Sequence, residues 1–180
     1  MVAPPDHFQL FHLPRRFALD PSALDRAYRS VQAQVHPDRF AAGTAAETRV
    51  AMQWATQANE AYRTLKSPLK RAAYLCEQAG CAIEAESNTA MPTAFLMQQL
   101  EWREALDEAR AVGGGAALGL LDDDMALERA RLLEEIGRAL DADANHSLAA
   151  SLVRQLMFIE KFGTEVSSAI EAQRDYRAPA

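Results

Sequence analysis

The sequence predicts an all-α fold in two parts: an antiparallel helical hairpin with short flanking helices, followed by a three-helix bundle. Three observations predict it. Apolar residues recur at three- and four-residue spacing over long stretches, as they do along one face of an α-helix. Pro21, Pro37, Pro68 and Pro92 stand where those stretches begin or end, beside residues suited to capping. The 180-residue chain is 49% apolar, which is enough to build a packed core in one large domain or two small ones.

Composition narrows the function. Cys76 and Cys81 are five apart with no second pair, so neither a disulfide framework nor a four-ligand zinc site is indicated, and both read as small buried hydrophobes. The apolar runs are too short to span a bilayer, and Met1 to Asp6 carries two prolines and an acid where a basic, apolar leader would stand. A cytoplasmic protein that meets no membrane is expected. A formal net charge of -6 and a pI near 5.2 argue against a general nucleic-acid binder, which needs a basic face to displace counterions.

The first element is a short helical turn carrying Phe8, Leu10 and Phe11 and ending before Pro14. Asp20-Pro21-Ser22 then starts a long helix, with Asp20 as N-cap and Pro21 at the first helical position. Leu24, Ala27, Tyr28, Val31 and Val35 form its apolar stripe, and Arg26, Arg29, Ser30 and Gln34 face away. Pro37 ends this helix by removing a backbone donor and pushing His36 out of the helical region. His36 stands at the negative end of the helix dipole, which favours its protonated form. Thr44 to Glu47 has capping-box spacing and opens a second long helix, with Val50, Trp54, Ala58, Ala61, Tyr62 and Leu65 on its stripe, that stops before Ser67-Pro68. Two such helices pack most simply as a hairpin, whose tip displays His36, Pro37 and Asp38.

Alone, that triplet is a modest signal. Chance supplies it in on the order of one chain of this length in a hundred, and an ordinary turn explains it as well, with Asp38 satisfying loop amides. Its surroundings are more specific. Leu24 to Arg39 resembles the second helix and loop of the J-domains of DnaJ-type co-chaperones. Asn59-Glu60-Ala61-Tyr62-Arg63-Thr64-Leu65 and Ser67 to Tyr74 are similar to the end of the third J-domain helix and to the fourth. The resemblance spans roughly residues 6 to 76. It implies a DnaK-type chaperone partner in its ATP state, whose hydrolysis a J-domain stimulates. Arg26 and Arg29 would meet an acidic groove of that partner, and His36, Pro37 and Asp38 would engage the junction between its ATPase and client domains.

Residues 80–90 read as a linker. Pro92 then opens a helix from Thr93 to about Glu108 that fades before Gly113-Gly114-Gly115. At 100° per residue, Phe95, Trp102, Leu106 and Ala109 share one face, while Leu96, Met97, Leu100, Glu101, Glu104 and Glu108 fall mainly on the other. An apolar patch edged by acids is either a docking surface or, where two neighbours pack on one helix, part of a wide core, and periodicity does not separate the two. Asp122-Asp123-Asp124 gives an acidic start to the next helix, with Leu132, Leu133, Ile136 and Leu140. The last opens near Asn145 to Ser147 and puts Leu148, Leu152, Leu156, Ile159, Val166 and Ile170 on its core face, with Met157 and Phe158 turned aside.

A J-domain followed by a short bundle beginning Thr93-Ala94-Phe95-Leu96-Met97-Gln98-Gln99-Leu100-Glu101 resembles the HscB family, the J-type co-chaperones of iron–sulfur cluster assembly, over nearly the whole chain. The resemblance implies a J-domain over residues 1–79, a linker over 80–91 and a scaffold-binding bundle over 92–180. It also implies two partners, an IscU-type scaffold protein and a specialised DnaK-type chaperone, HscA. Leu96, Met97, Leu100, Glu101, Glu104, Glu108 and Phe158 would hold the scaffold. A J-protein with a different client is the alternative. Trp102 departs from the family, standing where an aliphatic side chain is expected, and so does the Gly113 to Gly115 run, which leaves the lengths of the first two bundle helices open. No cofactor or resident metal is expected, nor a cluster on Cys76 and Cys81. An enzyme is disfavoured, since His7, His12, His36 and His146 are scattered and the bundle acids have no base or nucleophile beside them. A helix-turn-helix DNA binder is disfavoured by the overall acidity and the lack of a second basic cluster.

Overall fold

A computed structural model describes residues 6–35, 44–83 and 91–177, with side chains as far as residue 174. Every regular element among them is helical: α1 (His7–Leu10), α2 (Pro21–Val35), α3 (Ala45–Lys66), α4 (Pro68–Gln78), α5 (Thr93–Val112), α6 (Gly115–Asp141) and α7 (His146–Arg177).

Local chemistry explains most of the helix ends. The Asp6 carboxylate accepts from the Gln9 amide at 2.8 Å, and Asp20 accepts from the Ser22 amide at 2.9 Å. At the start of α3 the capping box is complete: Thr44 Oγ1 accepts from the Glu47 amide at 3.3 Å, and Glu47 accepts from the Thr44 amide at 2.8 Å. Those bonds favour the charged carboxylate and hold Glu47 below the usual range. Ser67 ends α3 and caps α4, whose first residue is Pro68. Gly113, at φ +64, supplies the left-handed residue that closes α5.

Helices α2 and α3 pair along a polar and aromatic seam. Tyr28 stacks on Tyr62 with ring centroids 4.1 Å apart. The Tyr28 hydroxyl donates to Asn59 Oδ1 at 2.7 Å, and Gln32 donates to the same oxygen at 2.6 Å. Tyr62 donates to Asp25 at 2.7 Å and accepts from Lys66, which holds the Lys66 ammonium above its ordinary pKa. α1 lies against α3, burying Phe8 and Phe11.

α4 is shared. It packs on α3 on one side and on α7 and α6 on the other, so the buried residues from Phe8 to Val166 form a continuous cluster. The segment between α1 and α2 reinforces this junction. Phe17 is buried, with the Arg71 guanidinium 5.0 Å from its ring centroid. On its other side Gly137 comes so close that an added Cβ would sit 3.2 Å from the ring. The Asp141 carboxylate accepts from the amides of Phe17 and Ala18, both at 2.7 Å, with Arg16 Nε 3.7 Å away. Arg71 donates to the Leu65 carbonyl at 2.6 Å, and its burial lowers its pKa.

Three expectations from the sequence need correction. α6 begins at Gly115, well before Asp122, because Leu118, Leu121 and Met125 extend its buried stripe backwards; the acid triplet lies within the helix, not at its start. Val50 and Trp54 are 51% and 38% exposed, since Ala51 and Ala58 turn inward in their place. Leu148 is 47% exposed in the first turn of α7, before the stripe enters the core.

Two predictions follow from this packing. Asp141→Ala leaves two amides without their charged acceptor and is expected to lower stability by about 1–3 kcal/mol in urea unfolding. The Cys76 thiol is fully buried, and burial, with the nearby Cys81 and Glu77, pushes it from 9.0 up to about 11. The unfolded chain ionises first, so the stability this buried thiol contributes is fully present below pH 9 and is lost as pH rises toward 11. The stability difference between wild type and Cys76→Ala should therefore narrow across that window; a constant difference contradicts the assignment.

Candidate functional site

The exposed face of α5 answers the question that periodicity left open. Phe95, Trp102, Leu106 and Ala109 are buried, as their spacing predicts. Leu96, Met97 and Leu100 are 47%, 54% and 50% exposed, and Glu101, Glu104 and Glu108 are exposed beside them. These are surface side chains. Three large apolar groups half in water on one helix cost hydration free energy that burial against a partner would recover.

The helix that carries them is held firmly from beneath. The Trp102 indole donates to Asp124 on α6 at 2.6 Å, a bond that ties α5 to α6 and satisfies an otherwise buried N–H. Phe95 meets Trp102 edge-on at 6.3 Å and Phe158 edge-on at 5.9 Å. Phe158 stacks in turn on Phe162 at 5.7 Å. The Arg103 guanidinium covers both α7 rings, 5.7 Å and 5.6 Å from their centroids. Phe158 is therefore half-buried, at the edge of the apolar face, with Met157 37% exposed next to it. Arg103 joins α5 to α7 at this edge, and sequence reasoning missed it; its spacing on the helix places it between core and surface, which was the available signal.

The other candidate set divides. Arg26 and Arg29 are exposed on α2; Arg26 makes a long ion pair with Asp20, 3.8 Å, across two well-hydrated side chains. Val35, the last residue of α2, and Thr44, which caps α3, stand on either side of residues 36–43. His36, Pro37 and Asp38 lie outside the described residues. Among the described residues no group of three or more His, Cys, Asp or Glu side chains is placed to hold a metal ion, and no helix is long and apolar enough to cross a membrane.

Comparison with known proteins places this arrangement. The family model for the HSCB C-terminal oligomerisation domain matches residues 91–167, the span from just before α5 to most of α7. The co-chaperone protein HscB homolog of Burkholderia multivorans is 58% identical over 165 residues, covering 92% of this chain and 94% of that protein. The homolog of Bordetella pertussis is 52% identical over 168 residues, covering 93% and 98%. Among solved structures, the chaperone HscB from Vibrio cholerae superposes with a TM-score of 0.81 at 35% identity over 94% of this chain and 99% of that one. Human co-chaperone protein HscB shares the fold, with a TM-score of 0.86 at 24% identity, covering 93% and 83% of the two chains. With its N-terminal J-domain and C-terminal helical bundle, the chain belongs to the HscB family of co-chaperones.

Proposed function

We propose that this chain binds an IscU-type iron–sulfur scaffold protein and delivers it to a DnaK-type chaperone of the HscA kind, stimulating that chaperone's ATPase during cluster assembly and transfer in the cytoplasm. The observation that carries the reading is the exposed Leu96, Met97 and Leu100 patch, edged by Glu101, Glu104 and Glu108, on a helix of an HscB-family chain. The division into a J-domain over 1–79, a linker over 80–91 and a scaffold-binding bundle over 92–180 belongs to the same reading.

The work divides by chemistry. Leu96, Met97, Leu100 and the edge of Phe158 supply the apolar anchor, whose burial provides most of the affinity. Glu101, Glu104 and Glu108 favour a basic scaffold surface and speed encounter. On the J-domain, Arg26 and Arg29 orient the chaperone as permanently charged, multidentate donors, and Asp38 pairs with one of its cations. No covalent step is performed by this chain; its contribution is to hold two partners in one geometry.

Titration of the scaffold into wild type and variants tests the division. Leu96→Ala with Leu100→Ala is expected to weaken scaffold binding by about 2–4 kcal/mol, while stability changes little because both side chains are half in water. Leu106→Ala, by contrast, empties core volume and should cost about 2–5 kcal/mol of stability. His36→Gln is expected to leave scaffold affinity unchanged while abolishing stimulation of the chaperone. Unaltered scaffold affinity in the double variant overturns the assignment of the patch.

A further inference from the structure

The three most exposed large apolar side chains among the described residues are Val112, Leu127 and Leu120, at 73%, 72% and 71%. None belongs to the patch already assigned, yet all three fall on one side of the molecule. The Trp102–Asp124 hydrogen bond fixes the level at which α5 and α6 run side by side, and the two-residue turn between them makes the pair antiparallel. Leu120 and Leu127 stand four residues before and three residues after Asp124, hence on its face of α6. On α5, Val112 follows Glu108 by four residues and lies on the edge nearest α6.

The order of side chains around α5 connects the two surfaces. At 100° per residue, the exposed arc starts at Leu96 and Leu100 near α7, passes Glu104, Met97, Glu108 and Glu101, and ends at Val112 near α6. The acids therefore stand between two apolar strips, and Asp123, 100° around α6 from Asp124 and past both Leu120 and Leu127, is a further exposed charge on the far side of the second strip. Size points the same way. A stable protein–protein interface takes about 20–30 residues a side, and the seven scaffold-facing residues fall well short of that. The adjacent surface with unspent apolar area is this one. Pairing of two copies through it is disfavoured, because a two-fold axis between Leu120 and Leu127 brings the Asp123 and Asp124 pairs of both copies together.

We propose that the scaffold's footprint crosses the acidic ridge of α5 onto α6, with Leu120, Leu127 and Val112 as a second apolar strip and Asp123 as an acidic border beyond that strip, facing a basic residue of the scaffold. This rests on the scaffold reading above. It makes the scaffold surface one of stated pattern: a basic row flanked on both sides by apolar side chains.

The test is calorimetric titration of the IscU-type scaffold into wild type, Leu120→Ser with Leu127→Ser, Asp123→Lys, and Leu96→Ala with Leu100→Ala, with sedimentation of each protein alone. The expected result is a loss of about tenfold or more in affinity for the α6 double variant and a smaller loss for Asp123→Lys that shrinks as salt rises. Full wild-type affinity in both α6 variants, alongside a loss in the α5 double variant, overturns this inference and leaves the scaffold reading standing. No binding by wild type overturns both. A wild-type dimer that Leu120→Ser with Leu127→Ser converts to monomer assigns the strip to self-association and overturns the inference.

Discussion

The Asp141 carboxylate, accepting from the amides of Phe17 and Ala18, is the contact on which the arrangement of the two halves depends. A segment between two helices of the first half would ordinarily lie loosely on the surface. Here a charged acceptor at the end of α6 takes two of its amides, and the Phe17 ring is pressed between Arg71 and Gly137. Any side chain larger than hydrogen at position 137 would meet that ring. With α4 packed on both α3 and α7, the result is one core and a defined relation between α2 and α5.

That rigidity matters because the proposed activity has no chemical step. A protein that works by holding two partners contributes through preorganisation: each degree of freedom frozen in the free chain is one that need not be lost on binding. The Tyr28–Asn59–Gln32 cluster and the stacked Tyr28 and Tyr62 rings hold the α2–α3 hairpin in register, while Trp102, Phe95, Phe158 and Arg103 fix α5 on the bundle. The surface side chains are correspondingly cheap to alter. Those beneath them are not.

Much of this was legible in the sequence. The caps at Asp20 and Thr44, the buried face of α5, and the hydrophobic stripe of α7 beyond its first turn all followed from spacing and capping chemistry, because these are local properties of a helix. What failed was non-local. The Gly113 to Gly115 run left the lengths of the first two bundle helices open and the acid triplet read as a helix start, whereas Leu118 and Leu121 are buried in the core and the segment before the triplet is helical. Val50, Trp54 and Leu148 obeyed helical spacing, but Ala51 and Ala58 turn inward beside the first two, and Leu148 lies in the first turn of α7 before its stripe enters the core. The Asp141 lock joins residues more than 120 positions apart, and no local pattern announces it. Whether Leu96 and Leu100 were core or surface depended on where α6 and α7 sit, which only the packing decides.

The most direct test of the account is steady-state ATP hydrolysis by the cognate DnaK-type chaperone alone, with this protein, with the scaffold, and with both. The account predicts stimulation by this protein that becomes much larger when the scaffold is also present, since both partners are then held in one complex. Stimulation that the scaffold does not enhance would contradict the coupling and leave a J-domain co-chaperone with a different client.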